Sequence, residues 1–381
     1  MSSLKPHTIV ITIVIAVIFL VVGDRLIGQA GQTELFGDAL VYAYMAEGNF
    51  GDANAPFKYR VVVPLLAWLL PFEAEFSLKI VSYAGVFLFY IVILMTCRFL
   101  GFSIFASTAS LFALFSTVWH LYNFQNPYLT DTTALMLLSV LFLSYIRGSF
   151  ITYLTTTVLL VMTREITIVL VPLWLWTKQW PRAITAIGIG VISLIVIRWV
   201  VSSDSSELNI SNSFVESLNG VARIHNMRPF IRIVVLNWGF VGALTVLGLL
   251  LTPIDKRTTL VPAFCLLLFA AIFSSFLAMD VGRMFAILSP VIVICCAQLF
   301  EVVSRKHYAL AFFLLAAFTA QLFWVPTSIT NRSSWIFETI FPRLTLGALE
   351  TILVIVLLFT FRQKLGHAVR PFVTRLINKT T

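Results

Sequence analysis

The sequence predicts an all-α polytopic membrane protein with about 11–12 transmembrane helices. Of its 381 residues, 59% are hydrophobic and only 11% are charged, and the mean hydropathy is +0.96. Soluble domains average roughly 45–50% apolar and 25% charged residues. Since no polar segment is long enough to fold separately, residues 1–381 are predicted to form a single integral membrane domain.

The first apolar run, Thr8–Val22, is predicted as a retained helix, because no small-residue cleavage site follows it. Two shorter runs on either side of Thr163-Arg164-Glu165 could form one span or two. We expect two short helices meeting at Arg164 near the outer face, since charge at membrane depth is costly. The predicted spans after the first are Phe76–Cys97, Gly101–Val118, Asp131–Tyr145, Ile151–Met162, Ile166–Trp176, Ala183–Val201, Ile231–Leu251, Thr259–Leu277, Met284–Phe300, Tyr308–Trp324 and Leu344–Phe361.

Charge placement predicts that both termini are cytoplasmic, because Lys and Arg concentrate on the cytoplasmic side of membrane proteins. Of the acidic residues, only Asp255 and Glu301 share that side. The net charge of +9 does not indicate nucleic-acid binding, because the basic residues are scattered, and the basic tail 362–381 is suited to anionic membrane lipids. The four cysteines lie in apolar runs and indicate neither a disulfide framework nor a zinc site.

A large first extracytoplasmic loop, residues 23–76, holds much of the acidic chemistry. Asp38, Tyr42 and Ala46 recur every four residues, which predicts one face of a short interfacial helix. The helix N-terminus favours an ionised Asp38, and an ionised carboxylate in a cavity is suited to general-base catalysis. The alternative is that Asp38 is only the N-cap of this helix.

Lys58 and Arg60 stand at the edge of a short apolar helix, Val61–Leu70, and are candidates for a phosphate clamp. Arginine contacts phosphate in a bidentate manner and lysine acts as a point charge. Interfacial anchoring by extended side chains is the alternative. The neighbouring aromatic residue Tyr59 and the helical Tyr42 are further candidate substrate ligands.

The segment from His120 to Asp131 is predicted to lie on the same outer side. His120 and Asn123 are candidate substrate ligands, and Asp131 is a candidate metal ligand. Two carboxylates, Asp38 and Asp131, could hold a divalent cation (Mg or Mn) together with His120. The alternative for Asp131 or its neighbour Thr130 is helix capping.

Cations are frequent on the predicted outer side. Arg164 and Glu165 could neutralise each other, and Arg283 could pair with Asp280 one helical turn away. An excess of cations around few carboxylates indicates an anionic, lipid-linked substrate. The outer loop before Ile233 adds Arg223, His225, Arg228 and Arg232.

Five short motifs together resemble the GT-C superfamily of polyprenyl-phosphate-sugar-dependent membrane glycosyltransferases, from residue 1 to about residue 300. They are Gly37-Asp38-x-x-x-Tyr42-x-x-x-Ala46-x-Gly48, Tyr59-Arg60-x-x-x-Pro64, Thr130-Asp131, Thr163-Arg164-Glu165 and Arg283-x-x-x-x-x-x-Pro290. The resemblance implies a polyprenyl-phosphate-linked sugar donor and a lipid or glycan acceptor. It further implies an inverting transfer on the periplasmic or lumenal side of a membrane, in bacteria the inner membrane.

In that family pattern, Asp38 would deprotonate the acceptor hydroxyl, and Arg283, Arg164 and Arg60 would stabilise the leaving lipid phosphate. The chain departs from several members because it lacks an Asp-Glu pair in the first loop and a C-terminal soluble domain. A second carboxylate must therefore come from elsewhere, and Asp131 is the candidate.

Three other functions are compatible with the sequence. A transporter or flippase of a lipid-linked or anionic substrate would need charges at mid-membrane depth and broken helices. A polysaccharide polymerase or ligase would depend on outer-loop arginines such as Arg223 and Arg228. A non-catalytic membrane subunit would be indifferent to substitution of Asp38.

Overall fold

The computed structural model describes residues 6–27, 37–51, 53, 57–165, 172–201, 240–277, 286–330 and 340–366. These residues form helices and contain no strand. The helices are α1 Pro6–Ile27, α2 Asp38–Ala46, α3 Val62–Trp68, α4 Ala74–Phe99, α5 Ile104–Phe115, α6 Val118–Gln125, α7 Asp131–Arg147, α8 Phe150–Thr163, α9 Leu173–Trp176, α10 Trp180–Val201, α11 Phe240–Leu251, α12 Ile254–Leu277, α13 Ser289–Lys306, α14 Tyr308–Thr330 and α15 Ile340–Thr360.

Four helical segments within the described ranges are long and apolar enough to cross a membrane: Pro6–Leu26, Ala74–Phe99, Trp180–Val201 and Ala286–Lys306. The first and third expose most of their surface, as helices in contact with lipid do, whereas the last is 89% buried. The predicted class, an all-helical integral membrane protein, is confirmed at this level.

Helix α1 is longer than predicted and contains the start of the predicted 23–76 loop. The structure continues the helix through Gly23 to Ile27. Asp24 accepts a hydrogen bond from the Tyr83 hydroxyl at 2.8 Å, and Gly23 lies against the ring of Phe124. This side-chain contact fixes the polar end of α1 against α4, which an apolar-run criterion could not detect.

The predicted span Gly101–Val118 is wrong at its outer end, where the chain breaks into α5 and α6. The hydroxyls of Ser116 and Thr117 bond back to the carbonyls of Ala113 and Leu114 at 2.8 and 2.7 Å. Such side-chain bonds compete with helical backbone bonds. Thr117 then caps α6 by accepting a hydrogen bond from the His120 backbone N–H at 3.4 Å.

The predicted break at Arg164 is present, since α8 ends at Thr163 and Arg164 is extended with φ −160° and ψ 108°. Trp174 of α9 packs on Phe150 and Tyr153, in the first half of α8, with ring centroids 5.8 and 5.6 Å apart. The described residues of α9 therefore lie beside the start of α8 and away from the break at Arg164, and residues 166–171 of the predicted span Ile166–Trp176 lie outside the described residues.

Antiparallel packing gives the bundle two distinct ends. Asp24, near the end of α1, contacts Tyr83 in the first half of α4, whereas Phe19, earlier in α1, contacts Tyr90, later in α4. The two helices therefore run antiparallel. We name the end containing Asp24, the start of α4 and Arg164 the Arg164 end, and the opposite one the Arg147 end. Five basic residues near helix termini lie at the Arg147 end: Arg98, Arg147, Arg182, Arg305 and Lys306. Arg25 and Arg198, in the last turns of α1 and α10, lie at the Arg164 end.

The first and last residues that the structure describes also lie at the Arg147 end. Pro6 begins α1 there, and the Phe361 ring after α15 contacts His307, which follows α13, at 5.9 Å. Glu301 of α13 accepts a hydrogen bond from the Ser103 backbone N–H at 2.7 Å, which joins α13 to the start of α5 at this end.

A small second core holds the first loop onto the bundle at the Arg164 end. Tyr42 and Met45 of α2 and Val63 of α3 are fully buried. They pack with Tyr128 and with Ile197 of α10. Because this core is distinct from the main one, α2 and α3 are fastened to the bundle without being part of its interior.

Candidate functional site

Arg60 joins the first loop to the end of α8. Its Nε donates to Glu165 Oε2 at 3.2 Å and its Nη1 donates to the Tyr42 hydroxyl at 3.1 Å. Burial by itself lowers the pKa of Arg60, but the phenol of Tyr42 and the carboxylate of Glu165 raise it above its ordinary value. The guanidinium is therefore a fixed positive charge with its orientation set by two partners.

A second pair, Arg164 with Asp131, is fully enclosed. Nη1 of Arg164 contacts Oδ1 of Asp131, and the two side chains are each only 3% exposed. Asp131 is the first residue of α7, where the helix dipole favours a carboxylate. A buried charge of this kind needs a partner, so Asp131 and Arg164 depend on each other.

The predicted mutual neutralisation of Arg164 and Glu165 is wrong. Arg164 has extended backbone angles, and successive side chains of an extended segment point to opposite sides. Arg164 turns towards Asp131, and Glu165 turns towards Arg60. The break in the apolar run thus supplies one charge to each of two ion pairs.

Asp38 is the first residue of α2, and the N-cap position is occupied by Gly37. Gly37 has φ 56°, a value that residues with a side chain rarely adopt. The N-cap alternative for Asp38 is therefore wrong. Asp38 is half-buried and lies one helical turn before Tyr42, the residue that contacts Arg60.

Lys58 and Tyr59 occupy a 3₁₀ turn, Phe57–Tyr59, and both are buried. The ammonium of Lys58 lies 5.6 Å from the Tyr59 ring centroid. Arg198 of α10 packs on the same Tyr59 ring, with its guanidinium carbon 5.3 Å from the ring centroid. Four cations from three segments therefore lie at the Arg164 end: Lys58, Arg60, Arg164 and Arg198.

Sequence reasoning missed Arg198, which lies inside the apolar run of α10. Its Nε is buried and has no hydrogen-bond partner among the described residues. A lone arginine in an apolar helix is the signal that could have identified it, because charge at membrane depth tends to serve a function.

His120 and Asn123 lie in an aromatic cluster rather than beside the ion pairs. His120 Nε2 and the Tyr90 hydroxyl are 2.6 Å apart, and Asn123 Nδ2 donates to the His120 carbonyl at 3.2 Å. The rings of Phe89, Tyr90, Phe115 and Phe124 surround the imidazole at 5.4–6.3 Å.

The residues present do not fit the predicted divalent cation. In the described part of the chain, no group of three or more His, Cys, Asp or Glu side chains could hold a metal ion. Asp131 is engaged by Arg164, and His120 by Tyr90.

Several buried oxygens near the two ion pairs have no hydrogen-bond partner within the described ranges. They are Glu165 Oε1, Thr130 Oγ1, Thr133 Oγ1 and Asn126 Oδ1. Leaving such atoms unpaired costs roughly 1–3 kcal/mol each. A ligand rich in hydroxyl groups would supply the missing donors.

Arg283, the remaining predicted phosphate ligand, lies outside the described residues. The other predicted site residues divide into two groups: those around the ion pairs (Asp38, Tyr42, Lys58, Tyr59, Arg60, Asp131 and Arg164) and those of the aromatic cluster (His120 and Asn123). No protein-family model, no curated protein and no solved structure matches this chain.

Proposed function

We propose that the protein is a GT-C-like membrane glycosyltransferase that moves a sugar from a polyprenyl-phosphate carrier to an acceptor hydroxyl. The observation that supports this proposal is the assembly of cations and carboxylates at the Arg164 end from segments far apart in sequence. The partners of the first ion pair, Arg60 and Glu165, are 105 positions apart along the chain, and those of the second, Arg164 and Asp131, are 33 apart. The two pairs adjoin because Arg164 and Glu165 are consecutive residues.

The charge balance of this site favours an anionic ligand. Arg60 and Arg164 are each held by a carboxylate, whereas Arg198 has a buried Nε without a described partner. Arg198 and Lys58 flank the same Tyr59 ring. Arginine and lysine side chains so placed bind phosphate oxygens well, and they are our candidates for contacts to the lipid phosphate.

The proposed reaction is a single inverting displacement. The Asp38 carboxylate takes the proton of the acceptor hydroxyl, and the oxygen forms a bond to the anomeric carbon of the sugar. The bond between that carbon and the phosphate oxygen breaks, and its electron pair leaves with the polyprenyl phosphate. Arg198 and Lys58 stabilise the charge on the leaving group, while Arg60 and Arg164 are positioning residues.

The buried oxygens without a described hydrogen-bond partner are suited to binding the hydroxyl groups of the sugar. Glu165 Oε1 and Thr130 Oγ1 are buried acceptors that can receive hydrogen bonds from sugar hydroxyls. A site built to hydrogen-bond hydroxyls discriminates strongly against a substrate that lacks them. This feature supports a glycosyl donor over a simple lipid phosphate.

An apolar surface beside the site is suited to the carrier chain. Helix α3 and the turn after it expose Leu65, Leu66, Trp68, Leu69 and Phe72. A short helix with an exposed apolar face fits the membrane interface. The donor could therefore approach laterally from the lipid, with its phosphate at the level of Lys58.

For the membrane arrangement, we propose about 11–12 spans, with the Arg164 end extracytoplasmic and both termini cytoplasmic. The basic residues at the Arg147 end support this orientation, since cytoplasmic ends are enriched in Lys and Arg. By the family resemblance, we propose the bacterial inner membrane as the location.

The test compares wild type with Asp38→Asn in membranes supplied with extracted polyprenyl-phosphate sugars. Loss of a general base lowers the rate by roughly 10²–10⁴-fold, so both glycosyl transfer and lipid-phosphate release should fall by that factor. The matched control is Glu47→Gln, because Glu47 is the exposed C-cap residue of the same helix. It should keep the wild-type rate.

Two results would contradict the proposal. If Asp38→Asn transfers sugar at the wild-type rate, Asp38 is not the base. If wild type turns over none of a panel of donors but moves a lipid-linked anion across proteoliposomes, the protein is a transporter or flippase.

A further inference from the structure

A cavity of about 420 Å³ lies at the Arg147 end, away from the proposed transferase site. Its volume is within the range of ligand pockets, roughly 300–1,000 Å³. Tyr145 and Trp174 form its buried floor, and Arg147 and Arg182 lie among the residues that line it. Within the described residues, none of the side chains that line it is acidic.

Neither lining arginine forms an ion pair with any other residue that the structure describes. Arg147 packs on the ring of Phe99 at 5.3 Å. Arg182 packs on the rings of Trp174 and Phe150 at 5.1 and 5.5 Å. Stacking engages the face of a guanidinium and leaves the N–H groups at its edge available for bidentate contacts.

The position of Arg182 is not explained by the helix that carries it. Arg182 lies in the first turn of α10, which begins at Trp180. The positive end of a helix dipole disfavours a cation there, whereas Arg147, in the last turn of α7, is placed favourably. A cation held against the dipole adds its charge to that of the helix terminus, and both attract an anion.

The remaining polar groups complete a site for an anion with an attached organic part. Gln179 lines the cavity, and Trp174 Nε1 is a buried donor without a described partner. Thr177 also lines it, but its hydroxyl donates to the Trp174 carbonyl at 3.0 Å. Next to the cavity, Trp176 and Trp180 are 56% and 59% exposed. Tryptophans of this kind are frequent at the headgroup level of a membrane.

We propose that this cavity binds the phosphate group of an anionic ligand between Arg147 and Arg182. The phosphate can come from a phospholipid headgroup or from a soluble phosphate compound, and both are recognised by the same guanidinium contacts. This site is separate from the transferase site and does not depend on the proposed glycosyl transfer.

The lipid source is tested by native mass spectrometry of the full chain in detergent with phosphatidylglycerol or phosphatidylcholine added. Phosphatidylglycerol should be retained preferentially. The double variant Arg147→Gln, Arg182→Gln should weaken its binding roughly tenfold or more, since each contact is charge-assisted. The matched control is Arg305→Gln, an exposed arginine at the same end that pairs with Glu301 and lies outside the cavity lining.

The soluble source is tested on the wild type, so that misfolding of a variant cannot obscure the result. Phenylglyoxal modifies accessible arginines, and the extent at Arg147, Arg182 and Arg305 is read by peptide mass spectrometry. Selective protection of the first two by inorganic phosphate identifies a soluble ligand, and protection only by phosphatidylglycerol identifies a lipid. If neither ligand protects them, and the double variant Arg147→Gln, Arg182→Gln retains as much phosphatidylglycerol as Arg305→Gln does, the proposal is wrong.

Discussion

Arg60 donates a hydrogen bond from its Nε to Glu165 Oε2 across 3.2 Å, linking the first loop to a position 105 residues later. The same guanidinium holds the Tyr42 hydroxyl, one helical turn after Asp38. The proposed base is thus connected through α2 and Arg60 to the charged end of α8. Any change in this ion pair should therefore alter both the free energy of unfolding and the position of Asp38.

The first prediction concerns the coupling of Arg60 and Glu165. Arg60→Gln and Glu165→Gln should each lower the free energy of unfolding, and the double variant should lose less than the sum. The expected coupling energy is about 1–2 kcal/mol, as for partly buried contacting residues. Chemical denaturation in detergent micelles measures it.

Tyr42→Phe is the control for this cycle, since it removes one hydrogen bond to Arg60 and leaves the ion pair. It should cost about 1 kcal/mol. Strict additivity of the Arg60 and Glu165 variants would mean that the pair contributes no interaction energy.

The second prediction concerns the enclosed pair. Asp131→Asn removes the carboxylate that pairs with the buried Arg164, and the expected loss is about 3–5 kcal/mol. The double variant Asp131→Asn, Arg164→Gln removes both charges and should recover part of this loss. Thermal unfolding followed by retained monomer on size exclusion provides the measurement.

A single Asp131→Asn variant as stable as wild type would show that Arg164 is neutralised by another group. In that case the pair would not be what positions the start of α7.

Local signals in the sequence predicted much of the fold. Spacing of four placed a helix at Asp38, and the structure begins α2 there. Prolines and apolar residues predicted Val61–Leu70 as a short helix, and α3 covers Val62–Trp68. The charged interruption predicted the end of α8 at Thr163. Each of these features is decided by neighbours within a few residues.

The pairings could not be predicted, because they depend on which distant helices pack together. Nothing near Asp131 in sequence indicates that Arg164 will meet it. Glu165 was a possible partner of Arg164, although neighbouring side chains diverge on a helix, so no local signal identified the partner. Arg198 was overlooked for the opposite reason, since its apolar neighbours concealed a single charge. Long-range antiparallel packing, rather than local propensity, selects these contacts.

The third prediction rests on the proposed function and concerns Arg198. Arg198→Gln should raise the KM for the lipid-linked donor roughly tenfold, the effect of losing about 1.4 kcal/mol of binding. The free energy of unfolding should change by about 1 kcal/mol or less, because the variant loses the contact with the Tyr59 ring and the buried Nε has no described hydrogen-bond partner to lose. Initial rates at varied donor concentration give the KM.

Arg198→Lys serves as the conservative comparison. It keeps the charge but loses the planar fork, so its KM should lie between those of wild type and Arg198→Gln. An unchanged KM in both variants would remove Arg198 from the donor site.

The fourth prediction separates a structural from a substrate-binding role for His120. Tyr90→Phe removes the hydrogen bond at His120 Nε2 and should cost about 1 kcal/mol of stability. The transfer rate at saturating donor should stay at the wild-type value if the aromatic cluster only packs the bundle. A raised KM with unchanged thermal stability would instead support the predicted ligand role of His120.

The fifth prediction tests the close packing that positions Asp131. A Cβ at Gly85 of α4 would lie 3.0 Å from the Thr133 backbone nitrogen and 3.1 Å from the Thr132 carbonyl carbon. Backbone cannot yield as a flexible side chain does, so Gly85→Ala should push the start of α7 outward. Overpacking costs about 1–3 kcal/mol, and the gain in helix propensity offsets about 1 kcal/mol of it.

The matched substitution is Gly188→Ala in α10, where nothing lies within 4 Å of the added Cβ. It gains the same helix propensity without overpacking and should be neutral or slightly stabilising. Gly85→Ala should therefore unfold at a lower temperature than Gly188→Ala and transfer sugar more slowly, because Asp131 and its partner Arg164 shift together. Equal stability and equal rates for the two variants would mean that α7 can move by a few tenths of an ångström without consequence. The enclosed ion pair of Asp131 and Arg164 would then not require a fixed position of α7.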